Sequence, residues 1–184
     1  MLRHIKPTKE YKDKIIDFVN EFNGEYIEGS NRLQYYLEHY TYEGWINYLK
    51  ICEDITPNEY EVPSELYLLI DENDVIIGIA HLRLSLNKTL DRLGGNIGYS
   101  IRPSKRNNGY GKYNLYLSLK RFNELNIDTL KLAHIKDNEA SKKVMLSLGA
   151  KFVEEIYDET YKYIDKYIID VKDSIKKYEL KVGE

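Results

Sequence analysis

Apolar side chains return every three or four positions over residues 8 to 22, where Tyr11, Ile15, Phe18, Val19 and Phe22 share one face. This spacing predicts a helix with Thr8 as its N-cap. The same period runs through residues 31 to 53, first in Leu33, Tyr36, Leu37 and Tyr40 and then in Trp45, Tyr48, Leu49 and Cys52, with a break expected near Gly44. After the loop "ITPNEYEVPSE" the period changes. "LYLLI" (66 to 70) and "VIIGIAHLRLSL" (75 to 86) flank the turn "DEND" and read as a hairpin, and "NIGYSIRP" (96 to 103) reads as a further strand stopped by Pro103. Leu115, Leu119 and Phe122 mark a helix that ends near Asn126, followed by a strand at 129 to 135. Asp137 or Asn138 caps the next helix, whose apolar face is Ala140, Val144 and Leu148 and whose end is Gly149. "KFVEEIY" and "TYKYIDKYIIDV" form an antiparallel pair, and the tail after residue 172 is an extra helix, a swapped element or a frayed end.

Helices, antiparallel strands, helix, strand, helix and a strand pair make an α+β or α/β domain with a mixed sheet. The strand, helix, strand run at 96 to 135 calls for a right-handed crossover between parallel neighbours. The loop after Pro103 then lies at the C-terminal end of a strand, where such sheets bind ligands.

With 184 residues, 42% hydrophobic and 31% charged, the chain suits one domain with one well-buried core. No run reaches the roughly 20 apolar residues of a membrane span and "MLRHIKPTKE" lacks a secretory apolar core, so a cytoplasmic protein is expected. The lone Cys52 excludes an internal disulfide and a multi-cysteine zinc site, and no metal is expected. A net charge of −3 argues against a nucleic-acid binder. The distribution of charge says more: residues 21 to 65 hold ten acids against two bases, which suits a cationic partner.

Around the start of the helix that carries Leu115, Leu119 and Phe122 the balance reverses. Arg102, Lys105, Arg106 and Lys112 surround Gly109 and Gly111 with no acid among them. Free N–H groups and the positive end of a helix favour a phosphate-bearing ligand at such a place. A G-x-G-x-x-G fingerprint fails because its third glycine slot is Asn114, and G-x-x-x-x-G-K-[ST] fails at Arg106 and at Tyr113.

What the loop does contain is R-x-x-G-x-G, at Arg106, Gly109 and Gly111, after a strand ending I-R-P. This resembles the acyl-CoA loop of the GNAT superfamily of N-acetyltransferases. "DNEASKKVMLSLGAKF" is similar to the superfamily's next block, with Asn138 and Ser141 in the slots facing the pantetheine arm. Arg83, Asn87, Gly94, Gly95 and the strand "IGYSIRP" resemble a bacterial subgroup of it. The likeness covers residues 65 to 157. It implies a GNAT fold: a central, mostly antiparallel sheet with a parallel crossover, flanked by helices. It divides the chain into variable acceptor-side helices (1 to 64), an acyl-CoA-binding core (65 to 157) and a C-terminal strand and tail (158 to 184).

The resemblance assigns Ile101, Arg102, Arg106, Asn107, Asn108, Gly109, Tyr110, Gly111 and Lys112, with Asn138 and Ser141, to acetyl-CoA. It implies transfer of the acetyl group to a primary amine of a small molecule or peptide by direct attack in a ternary complex, by a monomer or a homodimer. The acidic region favours a cationic acceptor such as a polyamine, an aminoglycoside or a basic peptide terminus. Two family features are missing. The slot of the tyrosine that protonates the departing thiolate holds Met145, and the usual carboxylate slot holds Gly95 and Asn96. His134, with an unperturbed pKa near 6.5, stands in as base and Tyr99 or Tyr110 as acid. The alternative is a catalytically silent domain that binds acyl-CoA as a sensor or assembly module.

Overall fold

Side chains that alternate between two covered faces organise the first sheet. Residues 1 to 182 are described by a computed structural model, in which β2 (Ser64–Ile70) and β3 (Ile76–Arg83) form the expected hairpin, paired from Ser64↔Arg83 to Ile70↔Ile76. Period two sends Ala80 and Leu82 of β3 to one face and Ile79 to the other. Both faces are covered, so nearly every residue of the pair is buried. β4 (Ile97–Ile101) joins the far edge of β3, and β1 (Arg3–Ile5), too short to show a period in the sequence, joins β2.

One face is covered by α1 (Lys12–Asn20), α2 (Leu33–His39) and α3 (Tyr42–Asp54), whose Ile15, Phe18, Leu33 and Trp45 pack on Leu66, Leu68 and Ile79. On the other, α4 (Tyr110–Glu124) and α5 (Glu139–Ser147) bring Leu115, Leu119, Met145 and Leu148 against Ala80 and Leu82 and against Leu130 and Leu132 of β5 (Thr129–Ile135). β5 belongs to a second antiparallel sheet, in the order β5-β7-β6, with β6 (Lys151–Asp158) and β7 (Lys162–Asp170) as the predicted closing pair. Each roughly half-buried helix is held by this packing rather than by propensity.

Two expectations change, and an open one is decided. The first helix starts at Lys12 after a 3₁₀ turn at Lys9–Tyr11, and the Thr8 side chain makes no cap bond; its carbonyl accepts from Tyr42 Oη at 2.7 Å instead. The break between α2 and α3 lies at Tyr40 and Thr41 rather than near Gly44, because Thr41 Oγ1 takes the Gly44 N–H at 3.0 Å and so caps α3. The tail is an extra helix, α6 (Val171–Val182), laid on α4 with Tyr178 stacked on Tyr116 at 4.2 Å.

The crossover needs a fuller correction. β4, α4 and β5 follow one another as predicted, but β4 and β5 belong to different sheets, and no parallel ladder joins them.

Candidate active site

β4 and β5 meet at one point and then part. Asn96 N–H donates to Lys131 O at 2.7 Å, and Lys131 N–H donates to Asn96 Oδ1 at 2.9 Å. Gly95 sits at this apex, where a Cβ would stand 2.5 Å from Lys131 O. A carboxylate in that slot has no room.

Beyond the apex one edge of β4 is open. Arg83 N–H bonds Asn96 O (2.8 Å) and Arg102 N–H bonds Ile77 O (2.9 Å), so residues 96, 98, 100 and 102 turn their backbone groups towards β3, apart from the Asn96 N–H given to Lys131 O and the Arg102 carbonyl taken by Lys105 N–H. Backbone groups alternate between the two edges of an antiparallel strand, so those of Ile97, Tyr99 and Ile101 lie along the edge towards β5, where no strand among the described residues takes them. The result is a wedge with hydrogen-bonding groups along one wall.

The glycine loop closes the wide end of this wedge. Asn107 and Gly109 adopt left-handed backbone, with φ of 63° and 77°. Gly109 is the N-cap of α4 and no side chain caps it; the first bond into the helix is Tyr113 N–H to Gly109 O at 3.2 Å. The N–H groups of Tyr110, Gly111 and Lys112 are therefore left without helical acceptors, at the positive end of a helix of 15 residues. The two glycines do different work. A Cβ on Gly109 would meet nothing, so its backbone conformation is what requires glycine, whereas a Cβ on Gly111 would press on Val144 at 3.3 Å. Gly111 lets α4 approach α5.

The four bases divide as well. Arg102 is buried and engaged elsewhere: its guanidinium reaches Ile76 O (2.7 Å), Asp17 Oδ2 (3.0 Å) and Glu21 Oε1 (2.6 Å) and lies over the Phe18 ring. Arg106 lies over Phe22 with its Nε on Ile101 O at 3.3 Å. Lys112 Nζ stands 4.9 Å from the Tyr178 ring centre. Of the side chains assigned to acetyl-CoA from sequence, Arg102 is thus bound to α1, while Arg106, Asn107, Asn108 and Lys112 stay at the loop. Ile101 contributes its carbonyl to the Arg106 contact, and Tyr110 opens α4.

Asn138 caps α5, its Oδ1 taking Ser141 N–H at 3.0 Å. Ser141 lies beside the Tyr99 side chain, but the buried Tyr99 hydroxyl has no partner in hydrogen-bond geometry among the described residues. Burial pushes its pKa up, with a smaller opposing contribution from Ser141. An orphaned buried hydroxyl between β4 and α5 fits a ligand atom, since buried polar groups are otherwise paired. Met145 is buried in the core beneath α5, so the position where the family carries its tyrosine supplies packing here.

His134 does not face an open cleft. Its side chain is 1% exposed; Nδ1 donates to Ile135 O at 2.7 Å, and Nε2 is 3.4 Å from Tyr167 Oη and 3.9 Å from Asp165 Oδ2. The ring stacks on Tyr167 as part of the inner face of the second sheet. An acceptor amine reaches it only by displacing that packing.

The acidic region is largely neutralised within the fold. Glu21 pairs with Arg102, Glu43 with Lys12, Glu53 with Lys6, Glu61 with Arg32 and Glu65 with Arg121. The charge count over 21 to 65 therefore overstates the field available to a cationic ligand, because seven of the ten acids, with Glu25 beside Arg106 and Glu28 beside Arg83, face bases drawn mostly from outside that region.

Comparison with known proteins bears on the family and the fold. The model of the acetyltransferase (GNAT) domain matches residues 27–151. No curated protein matches the chain by sequence. Among solved structures, RimJ of Mycobacterium smegmatis in complex with CoA-disulfide superposes with a TM-score of 0.71 at 11% identity, over 98% of this chain and 89% of that one. Mutant forms of the spermidine/spermine N-acetyltransferase SpeG from Vibrio cholerae give 0.64 at 15% identity, over 97% of each chain. An acetyl transferase that modifies the N-terminal serine of a 50S ribosomal subunit protein, from Salmonella typhimurium, gives 0.65 at 13% identity, over 92% of this chain and 94% of that one. At these identities the likeness is one of fold, and it is the domain match over more than half the chain that places it: the protein belongs to the GNAT acetyltransferase family and is an acyltransferase.

Proposed function

We propose that the protein transfers an acetyl group from acetyl-CoA to a primary amine by direct attack in a ternary complex. The observation that carries this reading is the open edge of β4 leading to the uncapped N-terminus of α4. In this reading the N–H groups at 110 to 112 hold the pyrophosphate, the open-edge groups of β4 pair with the pantetheine arm, and Tyr99 N–H takes the carbonyl oxygen of the thioester. Lys105, Arg106 and Lys112 add long-range attraction for the phosphates. As negative charge builds on the oxygen, that N–H stabilises it without any side chain having to move.

The carbon–nitrogen bond forms as the carbon–sulfur bond breaks, and the departing sulfur needs a proton. Tyr99 supplies it, since its hydroxyl is buried, unpartnered and kept neutral by burial. His134 holds the end of β5 in place rather than acting as the base.

The acceptors acetylated by the structural neighbours, polyamines and a protein N-terminal serine, are the two classes to try first, with an aminoglycoside as a third. No helix among the described residues is long and apolar enough to cross a membrane. Calorimetric titration with acetyl-CoA, followed by thiol release on adding each amine, tests the reading. Saturable binding with amine-dependent release supports it. The buried Met145 in the usual tyrosine slot favours the alternative, a silent acyl-CoA-binding module, and binding without release from any amine would establish that instead.

A further inference from the structure

The reading above leaves the amine's proton without an acceptor. Residues 25 to 31 return across β4 on the face towards α1, and they do so at one close contact. Gly29 has φ of 74° and lies against the Gly98 carbonyl, with no room for a Cβ between them. On the strand side, a Cβ on Gly98 would stand 2.8 Å from Glu28 Oε1 and 3.2 Å from Gly29 Cα. Ser100 Oγ fixes the same segment by donating to Glu28 O at 2.8 Å. Two glycines on facing segments thus lay the backbone of 28 to 29 flat on β4 and hold the Glu28 carboxylate over residue 98. That is one residue from the Tyr99 N–H assigned to the thioester oxygen.

Around the carboxylate, Arg83 Nη2 stands 3.9 Å from Glu28 Oε1, with Arg83 Nη1 itself tied to Gly95 O at 2.9 Å. Tyr26 on the same segment and Tyr161 on the β6–β7 turn share this field. His81, opposite Gly98 on β3, is fully buried, and burial holds it neutral. The Glu28 side chain remains 57% exposed, so it can exchange a proton with water.

We propose that Glu28 is the catalytic base that takes the acceptor amine's proton; this rests on the transferase reading above. The ammonium gives one proton to the Glu28 carboxylate. The free amine then forms the C–N bond, the C–S bond breaks, and the second proton of the amine reaches the thiolate through the Tyr99 hydroxyl. Glu28 returns its proton to water. Arg83 is a positioning residue: it orients the carboxylate without meeting the acceptor.

Glu28→Gln keeps the shape and removes the base. The test is acetyl-CoA titration of this variant, then thiol release at pH 7.5 and 9.5 with spermidine, a peptide bearing a free N-terminal serine, and an aminoglycoside. Acetyl-CoA affinity should stay within about twofold of wild type, while turnover at pH 7.5 falls on the order of 100-fold, the usual contribution of a positioned base. At pH 9.5 the deficit with spermidine should shrink severalfold, because a growing share of an amine with pKa of about 10 is already neutral. An equal deficit at both pH values would make Glu28 an anchor or a structural residue, and no deficit would remove it from the reaction; either overturns the inference alone. Loss of acetyl-CoA affinity would move Glu28 to the cosubstrate side and overturns it too. Failure of the wild-type protein to release thiol with all three amines would overturn the transferase reading and this inference together.

Discussion

Asn96 and Lys131 are joined by two hydrogen bonds, one from each backbone N–H, and they tie the start of β4 to β5, which otherwise lie in different sheets. Everything assigned to the site lies on the open side of that pair. Asn96 also donates from Nδ2 to Arg83 O at 3.0 Å and is buried, so Asn96→Leu strips partners from Lys131 N–H and Arg83 O together. Leaving such groups unpaired costs about 1–3 kcal/mol. Urea unfolding should show this as a lower midpoint at unchanged slope, whereas an unchanged midpoint would mean that the strands are held together elsewhere.

The four bases near the loop should separate by mutation. Arg102→Gln loses its pairs with Asp17 and Glu21, and charged hydrogen bonds of this kind contribute about 2 kcal/mol, so its effect should appear in thermal stability. Lys105→Gln and Lys112→Gln should leave stability near wild type and weaken acetyl-CoA binding, with the wild-type affinity falling as salt is raised. Measuring melting temperature and affinity on the same three variants decides it. An Arg102 variant that folds normally and binds poorly would return that residue to the ligand.

Two histidines, the half-buried His4 and the buried His81, set a pH dependence of stability. Burial lowers His4 to about 4, despite a hydrogen bond to Asn114, and lowers His81 to about 3 with a further push from Arg83. Unfolded, both titrate near 6.5. As pH falls below 6.5 the unfolded chain takes up protons that the folded chain refuses, so stability present above 6.5 is lost down to about pH 4, by up to about 1.4 kcal/mol per pH unit for each histidine. Unfolding free energies at pH 7.5, 6 and 5 should fall in that order, and His81→Leu should flatten the slope. A pH-independent stability over this range would show that the rings are hydrated.

Cys52 bears on the assay itself. It is buried, and burial pushes its thiol pKa up, so the native protein should not react with a thiol reagent until it is unfolded in denaturant. Immediate reaction of the folded protein would contradict its place in the core between α3 and its neighbours.

Much of this arrangement can be read from the sequence because it depends on local patterns. The strands at 66 to 86, the helix after Gly109, the cap at Asn138 and the closing hairpin follow from period and turn chemistry. The loop motif marks one end of the site. What the chain does not announce are relations set by tertiary contact. Arg102 reads as one of four loop bases, yet strand alternation turns it towards α1, where Asp17 and Glu21 lie more than 80 residues away. His134 reads as a polar residue at a strand end, and only the pairing of β5 with β7 shows Asp165 and Tyr167 closing over it. The acids of 21 to 65 read as a charged surface because their partners Lys6, Lys12, Arg102 and Arg121 lie outside that window. Glu28 is one letter in that count. The signal that could have singled it out is the glycine beside it together with Gly98 on the strand, two side-chain-free positions that need each other only once the segments cross.

The measurement that tests the central claim most directly is calorimetric titration of acetyl-CoA into the wild-type protein and into Gly109→Val and Gly109→Asn. A β-branched residue resists the left-handed backbone that position 109 holds, whereas asparagine tolerates it, and neither meets a steric obstacle. If the N-terminus of α4 holds the pyrophosphate, wild type and Gly109→Asn will bind saturably, and Gly109→Val will lose binding while keeping a cooperative unfolding transition. Equal binding by all three proteins, or none by the wild type, would contradict the placement of the cosubstrate in the wedge between β4 and β5.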